Sequence, residues 1–145
     1  MDDLVIRRLE IEDAEAVEKV YNAILQLPKR VDLLKELKEQ CQNSCFVSSV
    51  AEINDEIVGF LLSYVFYGGF GINRSAWISQ LCVHPRFMGQ GIGQRLAEEA
   101  FKVYKNLGIN SVHASFEWDS VDLLSFFKNL GFGRSDFVNL RKTFD

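Results

Sequence analysis

The sequence predicts one α/β (α+β) domain, residues 1–145, built on a mixed central sheet flanked by helices. Three observations carry this. Two runs rich in β-branched and aromatic residues flank a short polar turn, the pattern of an antiparallel hairpin. Apolar residues recur at helical spacing in several separate stretches. Toward the end of the chain strands and helices alternate, which favours parallel pairing across each helix.

In chain order, Leu4 to Leu9 alternates weakly and predicts a strand. Glu12 to Leu27 places Ala16, Val17, Val20, Ile24 and Leu27 at helical spacing, with Pro28 as the stop. Asp32 is an N-cap candidate for a helix to Gln42 with a Leu33, Leu34, Leu37 stripe. Phe46–Ile53 and Ile57–Tyr67 predict the hairpin, turning at Asn54-Asp55-Glu56. Gly68 and Gly69 break the second strand. Trp77–Val83 predicts a further strand, ended by His84-Pro85. A helix from Gly91 to Leu107 is expected to bury Ile92, Leu96, Ala100, Val103 and Leu107, with Gly108 as its left-handed C-cap. Val112–Glu117 predicts a strand and Ser120–Leu130 a helix, capped by Asp119 or Ser120 and by Gly131. Phe137–Phe144 predicts a last strand.

The bulk properties narrow the function. The chain has 145 residues, 48% hydrophobic, and a net charge of -4, which disfavours general nucleic-acid binding because that needs a basic face. No apolar run is long enough to span a bilayer, and the first residues do not read as a signal peptide. Cys41, Cys45 and Cys82 form no CxxC pair, so a reduced cytoplasmic location is expected. His84 and His113 lie far apart without ligand-spaced cysteines, so no metal site is expected.

The chemistry concentrates between Leu81 and Leu96, where a strand runs into a loop with Gly89, Gly91 and Gly93 and then straight into a helix. Glycines let a ligand approach the backbone. The helix start offers N–H groups without intrahelical acceptors and the positive end of a dipole, a setting for pyrophosphate. Arg86 and Arg95 add local positive charge. The GxGxG spacing does not fit the dinucleotide fingerprint, and the Gly-Lys-Ser/Thr of a P-loop is missing. A purely structural glycine turn is the bland alternative.

The loop resembles the acyl-CoA pyrophosphate loop of the GNAT superfamily of N-acetyltransferases. Ile6-Arg7-Arg8-Leu9, Glu12-Asp13-Ala14, the hairpin from Ala51-Glu52 to Val58-Gly59-Phe60, and Phe126-Phe127-Lys128-Asn129-Leu130-Gly131-Phe132 are also similar, in the same order. The resemblance implies a GNAT fold with a splayed strand pair, acetyl-CoA as acyl donor, and direct attack by a primary amine in a ternary complex. It implies that the backbone of Leu81, Cys82 and Val83 meets the pantetheine arm, with Val83 or Cys82 as oxyanion donor. Amides of Met88, Gly89, Gln90, Gly91, Ile92 and Gly93 would hold the pyrophosphate, with Gln94 at the edge. Ser120 and Phe127 stand at the family's cofactor positions on the late helix. The acceptor is a small-molecule or peptide amine, and a homodimer is compatible with the resemblance although no residue specifies one.

Two positions depart from the family pattern. Met88 replaces the Gln or Arg that opens the loop motif, which leaves the backbone amides to do the binding. Phe127 replaces a Tyr that protonates the leaving thiolate, and has no donor. Both also suit an alternative, an acyl-CoA-binding sensor or regulatory module with little turnover. The attacking amine must be neutral, which calls for a base or a water relay. His113, Ser115 and Glu117 share one face of their strand by the period of two, so Glu117 and His113 are the catalytic candidates, with Glu52 behind them. Cys82 as an acyl-carrying nucleophile is disfavoured, since no base is paired with it.

Overall fold

The computed structural model describes residues 3–24, 33–67, 74–116 and 121–145. These fall into two compact units, Met1–Ser115 and Phe116–Asp145, described in turn.

The first unit carries a five-stranded sheet in the order β1 (Leu4–Arg8), β2 (Ser49–Ile53), β3 (Glu56–Tyr67), β4 (Arg74–Val83), β5 (Val112–Ala114). The first three pairings are antiparallel and β4 to β5 is parallel, so the sheet is mixed as expected. The β2–β3 turn is tighter than expected. Asn54 and Asp55 both take positive φ, 50° and 66°, so two residues close the hairpin. That is the twist-matched turn for which Asn and Asp are suited.

Alternation divides β3 cleanly. Phe60 and Leu62 join Leu9, Val17, Val20, Leu33, Leu37, Phe46 and Val50 in one core with helices α1 (Ala14–Ile24) and α2 (Leu33–Gln40). The predicted cap at Asp32 and the stop at Leu27-Pro28 lie outside the described residues. The opposite face of β3 packs on α3 (Ile92–Asn106). A Cβ on Gly59 would meet the Leu96 and Ile92 side chains at 3.4 and 3.5 Å and the Cys82 carbonyl oxygen at 3.0 Å, so a larger residue would crowd this close approach.

The buried face of α3 differs from expectation in its second half. Ile92, Leu96, Ala97, Ala100 and Tyr104 are buried, whereas Val103 and Leu107 are 44% and 41% exposed. The row at i+4 continues through Tyr104, because its hydroxyl finds a partner inside. It donates to Ser63 Oγ at 2.6 Å, and Ser63 Oγ donates to the Val47 carbonyl. Burial pushes the Tyr104 phenol up to about 12. Gly108, at φ 78°, terminates the helix as predicted, with Ile109 N–H bonded back to the Tyr104 carbonyl at 2.9 Å.

The second unit contains α4 (Val121–Asn129), ended by Gly131 at φ 94°. Phe127 is buried there, with the rings of Phe116, Phe126 and Phe132 at 5.5, 5.3 and 5.0 Å. The expected strand Phe137–Phe144 does not form. A strand needs a ladder partner for its backbone, and this unit has no other strand among its described residues. Val138, Leu140 and Phe144 stay more than 80% exposed or close to it, at 80%, 87% and 82%.

The Tyr104 network makes a stability prediction. Tyr104→Phe should lower the unfolding free energy by about 1 kcal/mol at neutral pH, the usual net worth of one hydrogen bond. Because the folded phenol sits near 12 against an ordinary 10.0, wild-type stability falls as pH rises from 10 toward 12. The phenylalanine variant lacks that loss, so the gap between the two proteins should narrow above pH 10 in urea titrations.

Candidate functional site

The site starts from an irregularity in β4. Its register with β3 shifts between Leu62 and Ser63: Ser63 faces Ile78, Leu62 faces Gln80, and Ser79 is the extra residue. The Ser79 hydroxyl donates to the Leu62 carbonyl at 3.3 Å. Such a bulge reverses which residues turn their backbone toward which neighbour. Before it, the Ala76 N–H points to β5 and bonds the Ser111 carbonyl at 3.1 Å. After it, the His84 N–H points to β3 and bonds the Val58 carbonyl at 2.7 Å. By the period of two, Gln80 and Cys82 bond to β3 like His84, and Leu81 and Val83 direct N–H and C=O away from β3.

The edge they face is open among the described residues. β5 pairs with β4 only through Ala76, Trp77 and Ile78, and β4 continues to Val83. The two parallel strands therefore part at Ile78 and Ala114, the splay that the family resemblance implies. Leu81 and Val83 offer a row of unpaired backbone groups to an extended ligand. This corrects one expectation: the Cys82 amide is taken up by β3, so it is not an oxyanion donor.

Beyond the edge the chain enters a 3-10 turn at Pro85–Phe87. His84 is a structural residue of that turn: its Nδ1 accepts from the Arg86 N–H at 3.1 Å. Gly89 and Gly91 then take positive φ, 78° and 80°, and Gly91 is the N-cap of α3. The first intrahelical bond runs from the Arg95 N–H to the Gly91 carbonyl at 3.1 Å, which leaves the N–H groups of Ile92, Gly93 and Gln94 for a ligand. Met88, Gly89, Gln90 and Gly91 are exposed. The Gln94 side chain is engaged along the helix, donating to Glu98 Oε1 at 2.9 Å. The edge of β4 and the helix start are consecutive in the chain, so one track runs from a strand edge to an anion site.

The side-chain candidates separate. Glu117 and Ser120 lie outside the described residues. His113 is on β5, stacked on Trp77 with ring centroids 4.4 Å apart, beside the point where the strands part. Glu52 is held by Arg7, with Nε to Oε1 at 3.1 Å, and the same guanidinium grips Asp13 at 2.7 and 2.8 Å. The Arg7 hydrogen bonds hold the Asp13 carboxyl below its usual range. This cluster ties β1 to β2 and the start of α1, and Glu52 is thereby committed to structure. Cys82 packs against the α1/α2 core, and burial pushes its thiol up to about 12, which makes it a poor nucleophile at neutral pH. Phe127 is enclosed by phenylalanine rings within its own unit.

Sequence reading missed three features. The bulge at Ser79 carries no glycine or proline to announce it. The row Tyr64, Trp77 and His113, in register across β3, β4 and β5, joins residues far apart in the chain. Gln80 has its Oε1 buried without a hydrogen-bond partner among the described residues.

The model of the acetyltransferase (GNAT) family matches residues 10–132. An aminoglycoside acetyltransferase from an uncultured soil metagenomic sample, in complex with sisomicin, aligns with TM-score 0.83 at 23% identity, covering 99% of this chain and 98% of the other. Aminoglycoside N-acetyltransferase AAC(6')-Iy in complex with CoA aligns with TM-score 0.83 at 15% identity, over 97% and 94%. A ribosomal-protein-alanine N-acetyltransferase from Brucella melitensis biovar Abortus 2308 aligns with TM-score 0.81 at 17% identity, over 98% and 99%. At these identities the structural likeness establishes the fold. No helix among the described residues is long and apolar enough to cross a membrane.

Two predictions follow from this geometry. Alkylation with iodoacetamide at pH 8 should label the exposed Cys45 quickly and leave Cys82 unlabelled until the protein unfolds, as read by peptide mass spectrometry. Gly91→Asp should cost about 1–2 kcal/mol in stability, since a side chain is strained in the left-handed region although space around it is open. It should also abolish any stabilisation by acetyl-CoA, because a carboxylate at the start of α3 would repel the phosphates of a ligand bound there.

Proposed function

We propose, from the premise that this chain belongs to the acetyltransferase (GNAT) family and is an acetyl-CoA-dependent N-acetyltransferase, that it transfers an acetyl or short acyl group to a primary amine by direct attack in a ternary complex. The observation that supports this best is the continuous track from the free edge of β4 to the start of α3. The pantetheine arm carries amides and lies along Leu81 and Val83 as an added strand would. The Met88 amide, expected to join the pyrophosphate site, is taken up by the Pro85 carbonyl at 3.4 Å, so the pyrophosphate lies against the amides of Gly89 to Gly93, where glycines admit it and the helix dipole favours its charge. Arg86 and Arg95 contribute further positive charge.

The reaction needs little from side chains. The neutral amine nitrogen attacks the thioester carbonyl carbon and the C–N bond forms. The oxyanion of the tetrahedral intermediate is held by an N–H on the free edge, from Leu81 or Val83. The C–S bond then breaks, and the thiolate leaves and takes a proton from water. A thiol of pKa about 8.5 is a tolerable leaving group, so this step does not depend on a side-chain acid. His113 and Glu117 are the base candidates, directly or through water.

Phe127, walled in by carbon, also suits a second reading: a sensor that binds acyl-CoA and turns over slowly. The neighbours' acceptors, an aminoglycoside in one case and a ribosomal-protein alanine by name in another, frame the acceptor question as small molecule against peptide.

The test is thermal unfolding with and without millimolar acetyl-CoA, followed by thiol release with a panel of amines. A ligand at about 100 times its Kd should stabilise by about 2.7 kcal/mol. A shift with thiol release supports the enzyme. A shift with no release from any amine supports the sensor. No shift refutes both.

A further inference from the structure

Resting on the acetyl-CoA reading above, we infer that the last rung joining β4 and β5, Ile78 with Ala114, is the stop that sets the length of the acyl group. With the Leu81 amide on the thioester oxygen, the donors this site takes are straight-chain acyl-CoA esters of about two or three acyl carbons.

The direction of the donor follows from the chain. The anion site is at the start of α3, and the free edge of β4 leads away from it, past Val83 and then Leu81, to the parting at Ile78 and Ala114. A donor held by its phosphates therefore points its acyl end into the narrowing angle between the two strands. The edge offers few N–H groups. The His84 N–H is bonded to the Val58 carbonyl at 2.7 Å, and Pro85 has none. Val83 is thus the outermost donor and pairs with the amide-bearing arm. The Leu81 N–H, nearest the parting, is left for the thioester oxygen.

The stop is the ladder itself. Paired strands lie about 4.8 Å apart, and no hydrocarbon chain fits between them. The rung of Ile78 and Ala114 is the first that the acyl end meets. Described side chains also flank the vertex on both faces of the sheet. On one face the rings of Trp77 and His113, the next rung, stack with centroids 4.4 Å apart. On the other face Ile78 is 3% exposed and lies opposite Ser63, which Tyr104 of α3 holds. Ala114 is half-buried and carries a single methyl, so the slack at the vertex is on its side.

The register sets the length. Leu81 and Ile78 are three residues apart, and the bulge at Ser79 takes up one of them, which leaves about two strand steps, or about 7 Å. A carbon–carbon contact at the rung uses about 4 Å of this, and the rest equals about two carbon–carbon bonds beyond the carbonyl carbon. Acetyl and propionyl fit. Butyryl presses on the rung, and hexanoyl holds the thioester away from the Leu81 amide. If Val83 held the oxygen instead, the track would be about 7 Å longer and hexanoyl would fit.

The experiment measures Kd for CoA, acetyl-CoA, propionyl-CoA, butyryl-CoA and hexanoyl-CoA by isothermal titration calorimetry, which needs no acceptor amine. Each value is taken as a ratio to CoA on the same protein, so a variant that holds the phosphates less well is still read. Acetyl-CoA and propionyl-CoA should bind at least as tightly as CoA. Hexanoyl-CoA should bind about tenfold more weakly than propionyl-CoA, the cost of overpacking one site. Ala114→Leu should fill the slack and weaken propionyl-CoA about tenfold relative to CoA. Ile78→Val is the milder change. It should move the step outward, so that butyryl-CoA binds as well as propionyl-CoA. Equal binding from acetyl to hexanoyl overturns the stop and the choice of Leu81. A step that neither variant moves overturns the assignment to Ile78 and Ala114. Failure of CoA itself to bind is the separate failure of the acetyl-CoA reading.

Discussion

One extra residue in β4, Ser79, organises the site. Without it the alternation of β4 would stay in phase, and the edge beyond the parting from β5 would be formed by the amides of Gln80 and Cys82. With it, Gln80 and Cys82 bond back to β3, and Leu81 and Val83 are the residues left open. The same shift keeps the side chains of Gln80 and Cys82 on the α1/α2 face. The bulge is pinned from both sides. The Ser79 hydroxyl holds the Leu62 carbonyl, and at Gly59 the two strands approach so closely that a Cβ would press on the Cys82 carbonyl. A slip of one residue would exchange every inward and outward side chain downstream, which the buried Phe60 and Leu62 forbid.

The rest of the unit holds that strand still. On one face α1 and α2 bury Phe60 and Leu62 in an apolar cluster, and Arg7 clamps Asp13 and Glu52 at its border. On the other face α3 lies across Gly59 and is fastened by the Tyr104–Ser63 bond. That second face also fixes where α3 begins. Because Ile92, Leu96 and Tyr104 are seated on the sheet, the helix start and its free N–H groups cannot drift from the end of β4. The anion site and the strand edge thus share a frame, as a ligand with a phosphate at one end and amides along its length requires.

Much of this was legible in the sequence, for identifiable reasons. Glycines at positions 89, 91, 108 and 131 marked backbone that only glycine adopts easily, and all four have positive φ. The β2–β3 turn and the strand-to-helix run after His84 followed from local chemistry. What was not legible depended on partners distant in the chain. Val103 looked as apolar as its neighbours, but a tyrosine with a buried partner took the inward place. Phe137 to Phe144 has the composition of a strand, and composition cannot supply the ladder that makes one. Gln80 reads as an ordinary polar residue in a strand, and only the register puts it on the α1/α2 face. Glu117 and Ser120 were the natural choices from strand period and capping, and they fall outside the described residues.

The chemistry that emerges relies on backbone more than on side chains. Three side chains that sequence patterns would nominate for chemistry are otherwise occupied: the Cys82 thiol is driven far from ionisation by burial, Glu52 is bound to Arg7, and position 127 carries a ring with no proton to give. Backbone amides, by contrast, need no titration and no rotamer search, and their directions are set by strand and helix. A transfer from a thioester suits such a site, because the leaving group is good and the main demand is to align two reactants and hold one oxyanion.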